Sequence, residues 1–213
     1  MPVTVPLDST GNISVVGTRE FVLQVSRSLL TGAAALQSPE DLRIAVITPR
    51  HRRPDWDWLD LLPHLDDTSA QHFTGPVKLI APDAGSLLEV LDTDLQYRSR
   101  AAGENTRFGT ELTSGPPTLS RLVVVVDGYG ADAQDLDLGD SHLSLQARGI
   151  TVLHLCAERV QEPSEVSLRL TGQGPRQDGR TGFLLEDRTR DQGSPERTEG
   201  GLDPLDEHTA AGI

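Results

Sequence analysis

Cysteine, lysine and aromatic side chains are nearly missing from this 213-residue chain. Cys156 is its single cysteine, which excludes an internal disulfide. It lies in an apolar run, reads as a small core residue, and points to a reducing compartment. Lys78 is the sole lysine, and every other cationic side chain is arginine. No apolar run approaches the roughly 18 residues that a membrane span requires, and no signal peptide is visible at Met1. The expectation is a soluble fragment with no membrane insertion of its own. The net charge of −13 argues against nucleic acid as a direct partner, because such a surface must neutralise phosphates with Lys and Arg. His51, His64, His72, His142, His154 and His208 show no metal-ligand spacing, so no metal site is expected. There is no C-x-x-C pair, no Ser-His-Asp order and no G-x-G-x-x-G. Catalytic residues are accordingly expected to be none.

What is present is a series of short apolar runs. The clearest is RLVVVVDGYG, in which residues 122–126 are consecutively apolar and end in Asp127 and Gly128. A β-branched run without alternation reads as a strand buried on both faces, as in parallel sheets covered by helices. Further strands are expected at 12–16, 42–48, 77–81 and 150–157, with a hairpin formed by 166–170 and 183–186 around a turn at 174–179. Val22, Val25, Leu29, Ala33 and Leu36 recur at helical spacing after Gly17. A second helix is expected from Pro82-Asp83 to about Arg100, followed by a loop over 103–118. Residues 55–62 read as a short helix carrying Trp56 and Trp58, stopped by Pro63. Two positions apart, these tryptophans cannot share one helix face, so one is expected in the core and the other exposed. Strands alternating with helices give an α/β fold with a mostly parallel sheet and helices on both faces.

The domain organisation is read as a folded unit over 1–187, a charged, Gly-rich linker over 188–201, and the start of a truncated helix over 202–213. Asp203 would cap that helix and Pro204 would open it.

Three blocks in order carry a family resemblance. They are NISVVG with the apolar helix after it; SPEDLRIAVIT, LLPHL and PVKLIAPDAGSLLEVLDTDLQYRSRAAG; and RLVVVVDGYG followed by ARGITVLHLCAERV. This order resembles the FtsK/SpoIIIE class of motor ATPases. The WDWLDLLPHL wording is closer still to the EccC motors of actinobacterial type VII (ESX) secretion. Within those motors it is most similar to the membrane-proximal domain of unknown function. The resemblance implies a three-layer, RecA-like/P-loop NTPase-like fold. It also implies a cytoplasmic location at the inner face of the plasma membrane, inside a membrane complex. Expected partners are other domains and subunits of the secretion motor, such as the ubiquitin-like domain of EccD, with a hexamer in the parent assembly.

Departures from the family pattern bear on the chemistry. A working phosphate loop reads G-x-x-x-x-G-K-S/T; its backbone N–H groups cradle the phosphates and its lysine reaches them. Here Gly17 is followed by Thr18, Arg19, Glu20 and Phe21, without the second glycine or the lysine. Asp127 keeps the position of the metal-organising acid, and Gly128 stands where the resemblance implies a catalytic glutamate. The degenerate pocket would thus consist of Gly17, Thr18, Arg19, Asp127 and Gly128. Phosphoryl transfer depends on positioning and charge stabilisation, so no hydrolysis and no bound cofactor are expected. The alternative is a regulatory domain that binds ATP and Mg²⁺ without turnover, with an anion at the helix N-terminus. Arg50, Arg52 and Arg53 beside His51 make a basic loop in an acidic chain. With Trp56 and Trp58 they form a candidate partner surface.

Overall fold

NISVV, residues Asn12–Val16, forms β1 inside an eight-stranded sheet. The computed structural model describes residues 3–72, 75–107, 119–132, 135–139, 142–189, 195–203 and 210. The chain continues through α1 (Arg19–Leu36), β2 (Leu42–Ile47) and a 3-10 helix (Arg50–Leu61). After a short 3-10 turn come β3 (Asp66–His72), β4 (Gly75–Lys78), β5 (Ile80–Ala81) and α2 (Ala84–Arg107). The remaining strands are β6 (Arg121–Val126), β7 (Ile150–Cys156), β8 (Leu168–Pro175), β9 (Thr181–Asp187) and β10 (Glu196–Leu202).

The sheet order is β10-β9-β8-β1-β7-β6-β2-β5, with β3 and β4 paired separately. All pairings from β8 to β5 are parallel; β9 and β10 extend the sheet antiparallel. Alternation along the strands divides the core into two layers. On β6, Val123 and Val125 pack in the layer that holds Val22, Val25 and Leu30 of α1. Leu122 and Val124 pack in the layer that holds Leu87, Leu91 and Leu95 of α2. Each fully buried aliphatic side chain contributes about 1.5–3 kcal/mol. This explains why β6 has no polar face. The parallel register also brings the carboxyl ends of β1, β2 and β6 to one edge of the sheet. In open α/β sheets that edge is where ligands sit.

The mostly parallel α/β architecture agrees with the sequence reading. Four local expectations are corrected. The strand expected at 77–81 is interrupted at Leu79, whose N–H donates to Leu65 O at 2.8 Å, and so divides into β4 and β5. The loop expected from 103 begins later, because α2 runs to Arg107 and its good helix formers carry it past Gly103; residues 108–118 lie outside the described residues. Trp56 and Trp58 are both buried, at 0 % and 5 % exposure. In a 3-10 helix, residues i and i+2 diverge by about 120° rather than the α-helical value of about 160°, so one core face takes both. The segment read as linker is in part the edge strand β10. Its glycines have a packing reason there: a Cβ on Gly200 would collide with the Phe183 ring. Of the terminal helix, only Ala210 is described; it is helical and buried in the α1-side core.

His154 is 5 % exposed on β7, and its Nε2 lies 3.2 Å from Asn12 Oδ1. Burial pushes its pKa down to about 4, with nearby Asp135 opposing. The unfolded chain therefore binds this proton first, and the contribution of His154 to stability is lost as pH falls from about 6.5 towards 4. Urea midpoints measured across that window should fall for the wild type. They should fall less for His154→Gln.

Candidate functional site

β1 delivers Gly17 to the carboxyl edge of the sheet, where its N–H donates to Cys156 O at 3.1 Å. A Cβ on Gly17 would lie 2.8 Å from Phe21 Cδ1, so glycine lets α1 start close against the strand. Thr18 is the N-cap, and its Oγ1 accepts the Phe21 N–H at 3.3 Å. Glu20 adds a negative charge to the first turn. That charge stabilises the helix and repels phosphate. The start of α1 is thus capped by the chain's own side chain.

Arg19 points across the edge towards the end of β6. Its Nη1 and Nη2 donate to Asp127 Oδ1 and Oδ2 at 2.6 and 2.8 Å, a two-pronged pair. Nη2 also donates to Asp55 Oδ2 at 2.5 Å. The Asp127 side chain has no solvent exposure, against 25 % for Arg19 and 37 % for Asp55. Asp127 Oδ2 further accepts from Trp56 Nε1 at 3.0 Å and from the Thr48 hydroxyl at 3.2 Å. Arg52 Nη1 stands 3.5 Å from Oδ1. The guanidinium groups of Arg19 and Arg52 lie 5.5 and 5.8 Å from the ring centre of Tyr129, within cation–π range.

Burial alone would raise the Asp127 pKa. The hydrogen bonds from Arg19 and Trp56 and the charges of Arg19 and Arg52 outweigh it and hold the carboxyl below its usual range. Burial would lower the Arg19 pKa, but its bonds to Asp127 and Asp55 outweigh burial and raise it. Asp127 is therefore ionised and Arg19 charged at neutral pH. Two arginines face two aspartates, so the cluster is balanced in charge.

Of the residues singled out from sequence, Arg19 and Asp127 meet directly. Gly17 and Thr18 shape the turn that aims Arg19. Gly128 follows Asp127 without a side chain to contribute. Arg50 and His51 are exposed, while Arg52 faces Asp127 and Arg53 pairs with Asp57 and Asp60 at 2.5 and 2.7 Å. Trp56 and Trp58 are buried core residues, which corrects that part of the expected partner patch. Sequence reasoning missed Thr48, Asp55 and Tyr129. Thr48 ends the second apolar run and Tyr129 follows Asp127 by two residues, so both positions carried a signal. Nothing local distinguished Asp55 from its acidic neighbours.

Mg²⁺ and a nucleotide, the groups that the family resemblance implies, do not fit the residues present. The Asp127 carboxylate already spends both oxygens on Arg19, Trp56 and Thr48. No lysine stands in the turn between β1 and α1. Among the described residues, no group of three or more His, Cys, Asp or Glu side chains is arranged to hold a metal.

No family model matches the chain. It is 29 % identical over 175 residues to the ESX-3 secretion system protein EccC3 of Mycobacterium tuberculosis. It is 27 % identical over 170 residues to the ESX secretion system protein EccC of Thermomonospora curvata. Each alignment covers 80 % of this chain but only 12 % of the relative, so the chain spans about an eighth of their length. Among solved structures, EssC (ATPases 2 and 3) from Geobacillus thermodenitrificans superposes with a TM-score of 0.56 at 13 % identity. That superposition covers 96 % of this chain and 42 % of the other. It shows the fold, a P-loop NTPase-like sheet with helices on both faces. Over four-fifths of its length the chain is thus similar in sequence to EccC proteins of ESX secretion systems.

Proposed function

We propose that this chain is a non-catalytic, degenerate ATPase domain of a type VII secretion motor. It couples the membrane part of the motor to the ATPase modules that follow. The observation that carries the reading is the closure of the nucleotide edge by the chain's own residues: Thr18 caps α1 and Arg19 takes the Asp127 carboxylate. Kinship with EccC supports a place in the secretion complex. The domain works at the cytoplasmic face of the membrane through protein–protein contacts. Among the described residues, no helix is long and apolar enough to cross a membrane. The exposed Arg50 and His51, with half-buried Arg52 and Arg53, are the candidate contact surface for other motor domains, in a hexameric parent assembly.

Phosphate release from ATP and Mg²⁺ tests the catalytic half of the proposal. The 213-residue protein should show no release above that of Asp127→Ala. Turnover by the wild type that Asp127→Ala abolishes would overturn the reading. An electrostatic contact at the basic loop should weaken when Arg50 and His51 are both changed to Glu. Co-purification with the remaining motor modules reads this, and unchanged recovery would remove the loop from the account.

A further inference from the structure

We infer that a groove at the opposite, amino-terminal end of the sheet binds a free medium-chain aliphatic carboxylate, with Arg121 holding the head and apolar walls the tail. Arg121 and Thr151, the first and second residues of β6 and β7, both line it. The groove has a volume of about 530 Å³, within the range of small-ligand sites. Its apolar lining comes from Val5 and Leu7 of the N-terminal segment, Leu29 and Leu36 of α1, and Val123 and Leu153 of the sheet. That lining is built in advance. The Thr151 hydroxyl donates to Thr10 O at 2.9 Å, and Thr10 Oγ1 donates to Pro6 O at 2.6 Å, which fixes the N-terminal segment against β7. Nothing lies within 4 Å of where a Cβ on Gly32 would stand, so the groove is open along α1. Leu36, one turn further on, is 86 % exposed, an apolar surface that an aliphatic tail would cover.

Arg121 is the one cation in this lining. Its Nη1 is buried and has no hydrogen-bond acceptor among the described residues. Its backbone N–H donates to Asp41 O at 2.6 Å, so strand pairing holds the residue in place whatever its side chain does. Burial is the largest influence on the guanidinium and lowers its pKa; Asp8 opposes that shift without cancelling it, and Arg98 adds to it. Asp8 lines the same groove but is exposed, where water screens its charge. Arg19, Arg98 and Arg169 all have acceptors for their guanidinium groups. Half-buried Arg121 lacks the partner that a low-dielectric setting demands. A carboxylate supplies two acceptor oxygens that match the fork of a guanidinium. A head of higher charge would meet stronger repulsion from Asp8, which favours a single carboxylate.

Calorimetric titration of the 213-residue protein with octanoate, decanoate and decanol, each kept below the concentration at which it self-associates, tests this. Decanoate should bind saturably at one site. It should bind about 15-fold more tightly than octanoate, the gain expected from burying two more methylenes. Arg121→Met should weaken decanoate by about tenfold or more and leave decanol unchanged. Gly32→Leu places a side chain in the open groove without a clash at its Cβ, and should abolish binding of both. Because Arg121 Nη1 has no acceptor to lose, Arg121→Met should keep the wild-type Tm. If that variant does not fold, Gly32→Leu still decides the matter. No saturable decanoate binding by the wild type overturns the inference. Decanoate binding that survives Gly32→Leu also overturns it, as the mark of adsorption elsewhere. Equal losses of decanoate and decanol in Arg121→Met would overturn it too, because Arg121 would then shape the wall rather than hold the head.

Discussion

Arg19→Met should lower stability by about 3 kcal/mol at pH 7, because it strands the fully buried Asp127 carboxylate without its main partner. For a chain of this length that is a drop in Tm of about 6–12 °C. The loss should depend on pH. In the wild type, the Asp127 pKa lies below its unfolded value. The contribution of the pair is therefore complete above about pH 4 and is lost as pH falls through the native pKa. In the variant, burial, the largest single influence on that carboxyl, is opposed only by Trp56, Thr48 and Arg52. Its pKa should rise above the unfolded value, and protonation should then relieve the strain. The stability difference between the two proteins should shrink steadily from pH 7 to pH 3. Urea midpoints at several pH values read this directly, and His154 titration cancels in the difference. A difference that stays constant with pH would mean that Arg19 acts by packing rather than by charge.

Trp56→Ala should cost about 3–5 kcal/mol, since it deletes a fully buried indole from the α1-side core. It also removes the Nε1 donor that ties the 3-10 helix to Asp127. Trp56→Phe separates the two roles: it keeps most of the volume and should lose only about 1–2 kcal/mol for the missing hydrogen bond. Because Trp56 and Arg19 share one carboxylate, the double variant Arg19→Met with Trp56→Phe should not show the sum of the single losses. Local opening can be followed by hydrogen exchange. Amides of Arg50–Leu61 should exchange faster in Trp56→Ala than those of β1 and β7, which lie deeper in the sheet. Uniform loss of protection throughout the domain would show that the segment does not open as a unit.

Much of the fold was legible from apolar periodicity. β6 and β7 were clear because their runs have no polar alternation, and parallel strands buried on both faces leave that pattern. Asp127 was legible as a site residue because it follows such a strand at the ligand edge. Arg19 was marked only as a departure from a phosphate loop. Its partner lies 108 residues away, and no local pattern encodes that pairing. The burial of both tryptophans is equally hidden from local pattern, because α-helical spacing separates residues two apart whereas this segment is 3-10. The strand β10 was hidden by composition. Its Glu, Arg and Gly residues read as linker, although an edge strand tolerates charge and Gly200 makes room for the Phe183 ring.

Calorimetric titration of the protein with ATP in the presence of Mg²⁺ tests the central claim most directly. A site closed by Arg19 and capped by Thr18 should give a flat titration up to millimolar nucleotide. Saturable binding that Asp127→Asn abolishes would contradict the account, and would mean that Arg19 yields its place to the ligand.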